Sequence, residues 1–343
     1  MTALSKSTLQ DEILLRIQKN FPLNKRPFEV IANELKTEEK TVLKLLNEAK
    51  NNNIIRQTSA IFDTKKLGYT SSLVAFEIDE ANIEYAVKIL NAHPGISHNY
   101  ERNHTFNIWF TLAVPPDSRL GLEKTIKILA QQTKSKNHII LPTLKLFKIA
   151  VKLDTTNQAV QKEKVVDKSY KQLELTSQHY EIIKLLQHDI EFVSEPFKNI
   201  TQKLNMSYDA LFDVINDFYE SGVMRRYASI LNHRKAGFNA NAMVVWDIDE
   251  QNASNIGKEA ASFSAVSHCY LRPKYENWNY NLFTMIHGKT KEDTQNVIEQ
   301  IANSIEHQGF MPLYSSREFK KVRINYFSDA FYIWETLNSK GVL

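Results

Sequence analysis

The sequence predicts an α+β chain: a tandem repeat in which a winged helix-turn-helix precedes a ferredoxin-like βαββαβ unit, with the two copies related by a pseudo-twofold axis. Two internal matches carry this reading. The stretch "IIRQTSAIFDTKKLGY" (54–69) returns as "VMRRYASILNHRKAGF" (223–238), and "SHNYERNHTFNIWFTL" (97–112) returns as "SHCYLRPKYENWNYNLFTMI" (267–286). A near-constant offset means two similar folded units in one chain. The third observation is length, since 343 residues suit two repeats that each bury a core.

The elements follow in order. Leu9, Ile13, Leu14 and Ile17 make one helical stripe, and Phe28, Ile31, Ala32 and Leu35 a second. Thr37 is placed to cap a third helix that buries Val42, Leu43, Leu45 and Leu46. The β-rich "IIRQTSAIFD" then supplies a wing, completing a winged helix-turn-helix over 1–70. From 71 to 153 the pattern reads strand, helix, two strands around a turn, helix and a last strand near "LKLFKIAVKL". Such a sheet carries both helices on one face, so the open face needs a partner, and the two halves are expected to pack sheet to sheet or edge to edge. Residues 154–176 are polar and charge-rich and read as a linker. The order then repeats as a second winged helix-turn-helix over 177–239 and a second ferredoxin-like unit over 240–330.

A net charge of +4 gives no global basic field. A single cysteine, Cys269, excludes an internal disulfide and a cysteine-pair zinc site and fits a reducing compartment. The first residues lack an apolar signal core and no apolar run approaches membrane-spanning length, so a cytoplasmic protein with no membrane partner is expected. A sequence-reading helix would offer cations to DNA phosphates. The second copy instead offers "SYDALFDVINDFYE", with Asp209, Asp213, Asp217 and Glu220 and no Lys or Arg, which argues against DNA binding.

The densest polar-aromatic cluster lies in the strand-turn-strand of each copy: His98, Tyr100, Arg102, His104, Asn107 and Trp109, against His268, Tyr270, Arg272, Tyr275, Trp278 and Asn281. His98, Tyr100, Arg102 and His104 are i, i+2 neighbours, as are His268, Tyr270 and Arg272, so each set is expected to project from one face of an extended segment. One such residue alone is more often packing than chemistry; the triplet kept in both copies favours a site. Arg56 and Arg225, Lys65 and Lys66 with Arg234 and Lys235, and Lys148 with Lys320 are further kept cations, and His233 stands in the second copy only. Such a set suits a ligand with many carboxylates. His104 has no counterpart, because an insertion brings in Lys274, Tyr275 and Trp278, so unequal pockets are expected.

These motifs resemble the siroheme decarboxylases, a family with the architecture of the leucine-responsive (Lrp/AsnC-like) regulators. The resemblance rests on "FPLNKRPFEVIANEL", "IIRQTSAIFDTKKLGY", "HNYERNHTFNIWFTL" and "LFKIAVKLD" in the first half. In the second it rests on "GVMRRYASILNHRKAGFNANAMVVW", "SHCYLRPKYENWNYNLFTMIHG" and "SSREFKKVR". It implies a fused two-half enzyme that removes the C12 and C18 acetate carboxyl groups of siroheme, giving 12,18-didecarboxysiroheme for heme or heme d1. It implies no cofactor beyond the iron-bearing substrate, and no metal of the protein's own. On this resemblance His98, His104 and His268 are acids or axial contacts to the substrate iron, and Tyr100 and Tyr270 orient them. Arg102, Arg272, Arg56, Arg225, Lys148 and Lys320 hold carboxylates, while Trp109, Tyr275, Trp278, Asn107 and Asn281 complete the binding set. Pairing of the fused chain into a homodimer or larger homo-oligomer is expected of this class. Two alternatives stay open on the residues: a regulator that senses a tetrapyrrole or another small ligand, and a carrier that binds the ring without chemistry.

Overall fold

The computed structural model describes residues 6–149, 170–231, 240–288 and 290–339. Most of the expected linker, together with His233, Arg234 and Lys235, lies outside them. The first half runs α1 (Lys6–Lys19), α2 (Pro27–Glu34), α3 (Glu39–Asn51), β1 (Ile55–Phe62), β2 (Thr70–Glu77), α4 (Ile83–Ala92), β3 (Ile96–Arg102), β4 (Ile108–Val114), α5 (Gly121–Gln132), β5 (Asn137–Pro142) and β6 (Lys145–Ile149). The second runs α6 (Ser177–Leu186), α7 (Lys198–Leu204), α8 (Tyr208–Glu220), β7 (Met224–Leu231), β8 (Ala240–Asp247), α9 (Ala253–Ser262), β9 (Val266–Leu271), β10 (Leu282–Gly288), α10 (Lys291–Ser304), β11 (Gly309–Lys321) and α11 (Asp329–Asn338). The chain divides into two compact units, one holding both helix-turn-helix parts and the other both sheet parts.

In the helix-turn-helix unit, Pro27 opens α2 where its missing N–H costs nothing, and Phe28, Ile31 and Ala32 give the helix its buried stripe. α3 begins at Glu39, so Thr37 does not cap it. The Thr37 N–H bonds to the Ala32 carbonyl and closes α2 instead. In α8, Ser207 caps the helix by accepting from the Ala210 N–H, and Leu211, Ile215 and Phe218 form the buried face. Asp209, Asp213 and Glu220 stay exposed, with Asp217 and Glu220 facing Lys171. The wing is shared: β1 and β7 pair with each other, antiparallel, so the two copies contribute one strand each to a single ribbon. The buried Thr58 and Ser229 hydroxyls, 2.6 Å apart, tie its centre.

The sheet unit has nine strands in the order β5-β2-β4-β3-β11-β8-β10-β9-β6. Each ferredoxin-like copy ends in a strand that changes sheets. β5 pairs with β2 of its own copy, and three residues later β6 pairs with β9 of the other. β11 does the same in one stretch, with Gly309–Tyr314 on β8 and Ser315–Lys321 on β3. Phe147 of β6 is therefore part of the second-copy core, and Phe319 packs against the first. A methyl group on Gly257 would stand 2.3 Å from the Phe147 ring, so this exchange needs glycine in α9. Helices cover one sheet face in each copy. The other faces meet in a third cluster that includes Ala75, Trp109, Leu141, Met243, Val245 and Leu313. Sheet packs on sheet and the edges are shared as well. α11 was not foreseen; Phe331 inserts it into the first-copy core, and Glu335 accepts from the Ser118 hydroxyl and the Leu120 N–H.

Candidate active site

The inward faces of the two sheets enclose a cavity of about 560 Å³, a volume in the usual range for a small-molecule site. The alternation of β3 and β9 brings His98, Tyr100 and Arg102 to its wall together with His268, Tyr270 and Arg272. In both copies the imidazole and phenol stack, with centroids 6.3 Å and 6.1 Å apart. Leu73, Trp109, Met243, Phe283 and Met285 supply apolar lining.

The two guanidiniums are the unusual groups. Arg102 is 5% exposed and Arg272 8%. Nη1 of Arg102 donates to the Leu313 carbonyl at 2.6 Å, and Nη1 of Arg272 donates to that of Leu141. Each lies over the neighbouring tyrosine ring, and Arg272 also over Phe283. Nε of each is buried without a hydrogen-bond partner. Burial pushes both down to about 10, and among the described residues no carboxylate acts against that loss of solvation. Both still carry a full charge near neutral pH. Two buried cations without counter-ions cost stability on their own, and carboxylates entering the cavity would offset that cost.

Behind the histidines the copies diverge. Ser97 Oγ is 2.9 Å from His98 Nδ1 and 2.7 Å from Thr111 Oγ1. Ser267 Oγ is 2.7 Å from His268 Nδ1 but 2.6 Å from His287 Nε2, and His287 Nδ1 is 2.8 Å from Asn241 Oδ1. Burial first, then the facing His268 and Lys321, push His287 down to about 4, so it is neutral at physiological pH. β11 adds Arg317, Glu318 and Lys321 to the wall. Arg317 is held by Glu101 and Glu84. Burial, with Glu318 second, pushes Tyr100 up to about 12. Among the described residues no cluster of three or more His, Cys, Asp or Glu side chains could hold a metal ion.

A family model described as "AsnC-like ligand binding domain" matches residues 66–148 and 235–320, and one described as "Siroheme decarboxylase NirDL-like HTH domain" matches 10–56 and 180–225. A siroheme decarboxylase of Hydrogenobacter thermophilus is 42% identical over 94% of this chain and 96% of its own length. The chain belongs to the siroheme decarboxylases. Two crystal structures of the siroheme decarboxylase NirDL, one of them in co-complex with an iron-uroporphyrin III analogue, match with TM-scores of 0.79 at 36% and 35% identity. They cover 97% and 98% of this chain and 99% and 100% of theirs.

Several expected site residues of this siroheme decarboxylase family member stand outside the cavity lining. His104 lies in the β3–β4 turn outside the cavity lining, where Nδ1 accepts from the Phe106 N–H and the ring meets the edge of Trp278. Trp278 fills the core between the sheets, and the Tyr275 hydroxyl donates to the Ile140 carbonyl. The insertion thus packs between the sheets and against β5. Asn107 and Asn281 each clamp the backbone of the residue after a strand, Ile78 or Ile248, by one accepted and one donated bond. Lys148 donates to the Phe263 carbonyl at the end of α9, and Lys320 to the Asn91 and His93 carbonyls at the end of α4. Arg56 and Arg225 stand on β1 and β7 in the other unit, where Arg225 pairs with Asp63 at 2.8 Å. Trp109 alone of the aromatic binding set lines the cavity. Sequence reading missed His287, Asn241, Glu318 and Lys321. Its filter was identity between copies, and the matching cross-strand pair to Asn241–His287 is Ser71–Ala113.

Proposed function

We propose that the cavity binds siroheme and that the chain removes, as CO2, the carboxyl groups of its C12 and C18 acetates, giving 12,18-didecarboxysiroheme. The observation that carries this is the pair of buried guanidiniums, Arg102 and Arg272, which meet no carboxylate among the described residues, in a cavity walled by aromatic and thioether side chains. A flat ring bearing eight carboxylates complements that wall in shape and charge.

Arg102 and Arg272 bind carboxylates that stay on the ring, while Trp109, Phe283 and Met243 press on its face and exclude water. An acetate placed away from the cations is poorly solvated, which favours departure of neutral CO2 over retention of the charge. The electron pair left on the methylene carbon delocalises into the macrocycle. An imidazolium on the cavity wall, His98 or His268, then protonates that carbon, a role imidazole fills near neutral pH. Iron enters as part of the substrate, and no other cofactor is invoked. The product would feed heme or heme d1 formation in the cytoplasm. No described helix is long and apolar enough to cross a membrane. Assembly of the fused chain into a homo-oligomer is part of the same proposal.

The test is anaerobic incubation of the purified chain with siroheme, followed by product mass. Two successive losses of CO2 are expected. Tight binding with an unchanged mass would make the chain a carrier and overturn the reading.

A further inference from the structure

We infer that His287 is a positioning residue that fixes the tautomer of His268 and so makes the His268 half-site the one that delivers the proton. The inference rests on the decarboxylase reading above for its chemistry, and on hydrogen-bond logic for its geometry. An amide oxygen can only accept, so Asn241 Oδ1 places the proton of neutral His287 on Nδ1. His287 Nε2 is then a bare acceptor, and the Ser267 hydroxyl donates to it at 2.6 Å in preference to the Met285 carbonyl at 3.4 Å. That leaves a Ser267 lone pair to accept from His268, which places a proton on His268 Nδ1 and presents Nε2 to the cavity. A second-sphere group deciding which ring nitrogen carries the proton is a recurrent device in histidine chemistry. Burial of Ser267, 5% exposed, shields the central link from water.

In the first half-site the hydroxyls beside His98 impose no such direction. Ser97 bridges His98 and the Thr111 hydroxyl, and Thr111 Oγ1 is itself 3.5 Å from His98 Nδ1. A hydroxyl donates or accepts equally well, so this triangle leaves either His98 tautomer satisfied. Ser71 and Ala113 occupy the register of Asn241 and His287 and supply no imidazole.

In the step itself, the bond from the methylene carbon to the carboxylate breaks, its electron pair stays on carbon, and CO2 leaves. The Nε2 proton of the His268 imidazolium forms the new methyl C–H bond, leaving neutral His268 with its Nδ1 proton still donated to Ser267. Water reloads Nε2 after product departs, so each turnover consumes one carboxylate and one proton.

The experiment compares His287→Ala with His287→Gln in the full chain, the amide oxygen of glutamine being able to replace Nε2 as acceptor for Ser267. His287→Ala installs what the first copy already tolerates at this register, which protects the fold. Nitrogen NMR of selectively labelled histidine reads the His268 tautomer without substrate, and single-turnover decarboxylation reads the rate. His287→Ala is expected to mix the tautomers and slow turnover about tenfold or more, with siroheme affinity unchanged. His287→Gln should keep the Nδ1–H form and stay within about threefold of the parent rate. A His268 signature and rate both unchanged in His287→Ala would overturn the inference, as would a loss confined to affinity. Failure of the parent chain to release CO2 would sink the functional reading instead, and the tautomer measurement would still decide the role of His287.

Discussion

Around His98 the neighbouring strand is β11, which sets Lys321 opposite the imidazole and Glu318 opposite Tyr100; around His268 the neighbour is β6, and the same two places hold Ile149 and Leu146. The two half-sites share an imidazole, a phenol and a guanidinium, and differ in almost everything those groups touch. Glu318, Lys321 and Arg317 line the wall beside the first triplet, and Lys321 also faces His287 of the second. The second triplet has apolar cross-strand neighbours and a second imidazole. Duplication thus preserved the His-x-Tyr-x-Arg set, while strand exchange gave each set a neighbouring strand from elsewhere in the chain.

The sharpest way to break that comparison is to remove each histidine. His268→Ala should slow single-turnover decarboxylation about a hundredfold and His98→Ala less than about tenfold. Equal losses would restore two equivalent half-sites. The next effect concerns the guanidiniums. Arg102→Met and Arg272→Met should each weaken siroheme binding by about tenfold to a hundredfold, the worth of a charge-assisted hydrogen bond. Neither should lower the melting temperature, because a buried unpaired charge is replaced by an apolar chain of similar length. A fall in melting temperature comparable to a core truncation would show that the arginines hold the fold and not the ligand. A smaller effect concerns Tyr100. Burial and then Glu318 hold it at about 12, so Glu318→Gln should bring it back toward 10 in an ultraviolet titration. An unchanged titration would show that Glu318 does not face the phenol.

What the sequence discloses follows from which features repeat. Helical stripes and the His-x-Tyr-x-Arg alternation are local, so the architecture and six cavity residues could be read directly from spacing. Strand exchange is not local. Nothing in "LKLFKIAVKL" distinguishes a strand that closes its own sheet from one that crosses, and so Lys148 and Lys320 were misjudged. Both are kept in duplicate because each donates to the carbonyls at the end of a helix. Asn107 and Asn281 misled for the same reason, since a backbone clamp is kept as faithfully as a catalyst. His287 was invisible for the opposite reason. It matters because the other copy lacks it, and a comparison that rewards identity passes over it.

The same unevenness between copies reaches the helix ends below the sheets, where His93 follows α4 and Phe263 follows α9. His93 is fully buried, with Nδ1 accepting from the Gly95 N–H and its ring 4.2 Å from Trp334 of α11. Burial, with Lys320 second, pushes it down to about 3. The unfolded chain titrates near 6.5, so it takes up a proton first as pH falls. The stabilising contribution of neutral His93 is complete above about pH 6.5 and is lost progressively toward pH 3, by up to about 1.4 kcal/mol per unit. His93→Phe, which installs the residue of the other copy, removes that proton from the balance. It also gives up the Gly95 bond, at a cost that does not vary with pH. In chemical denaturation the variant should therefore be slightly less stable than the parent at pH 7.5, with the gap closing by about 1.4 kcal/mol by pH 5.5. A gap independent of pH would mean that His93 is solvated or charged in the folded chain, and that α11 does not seal this helix end.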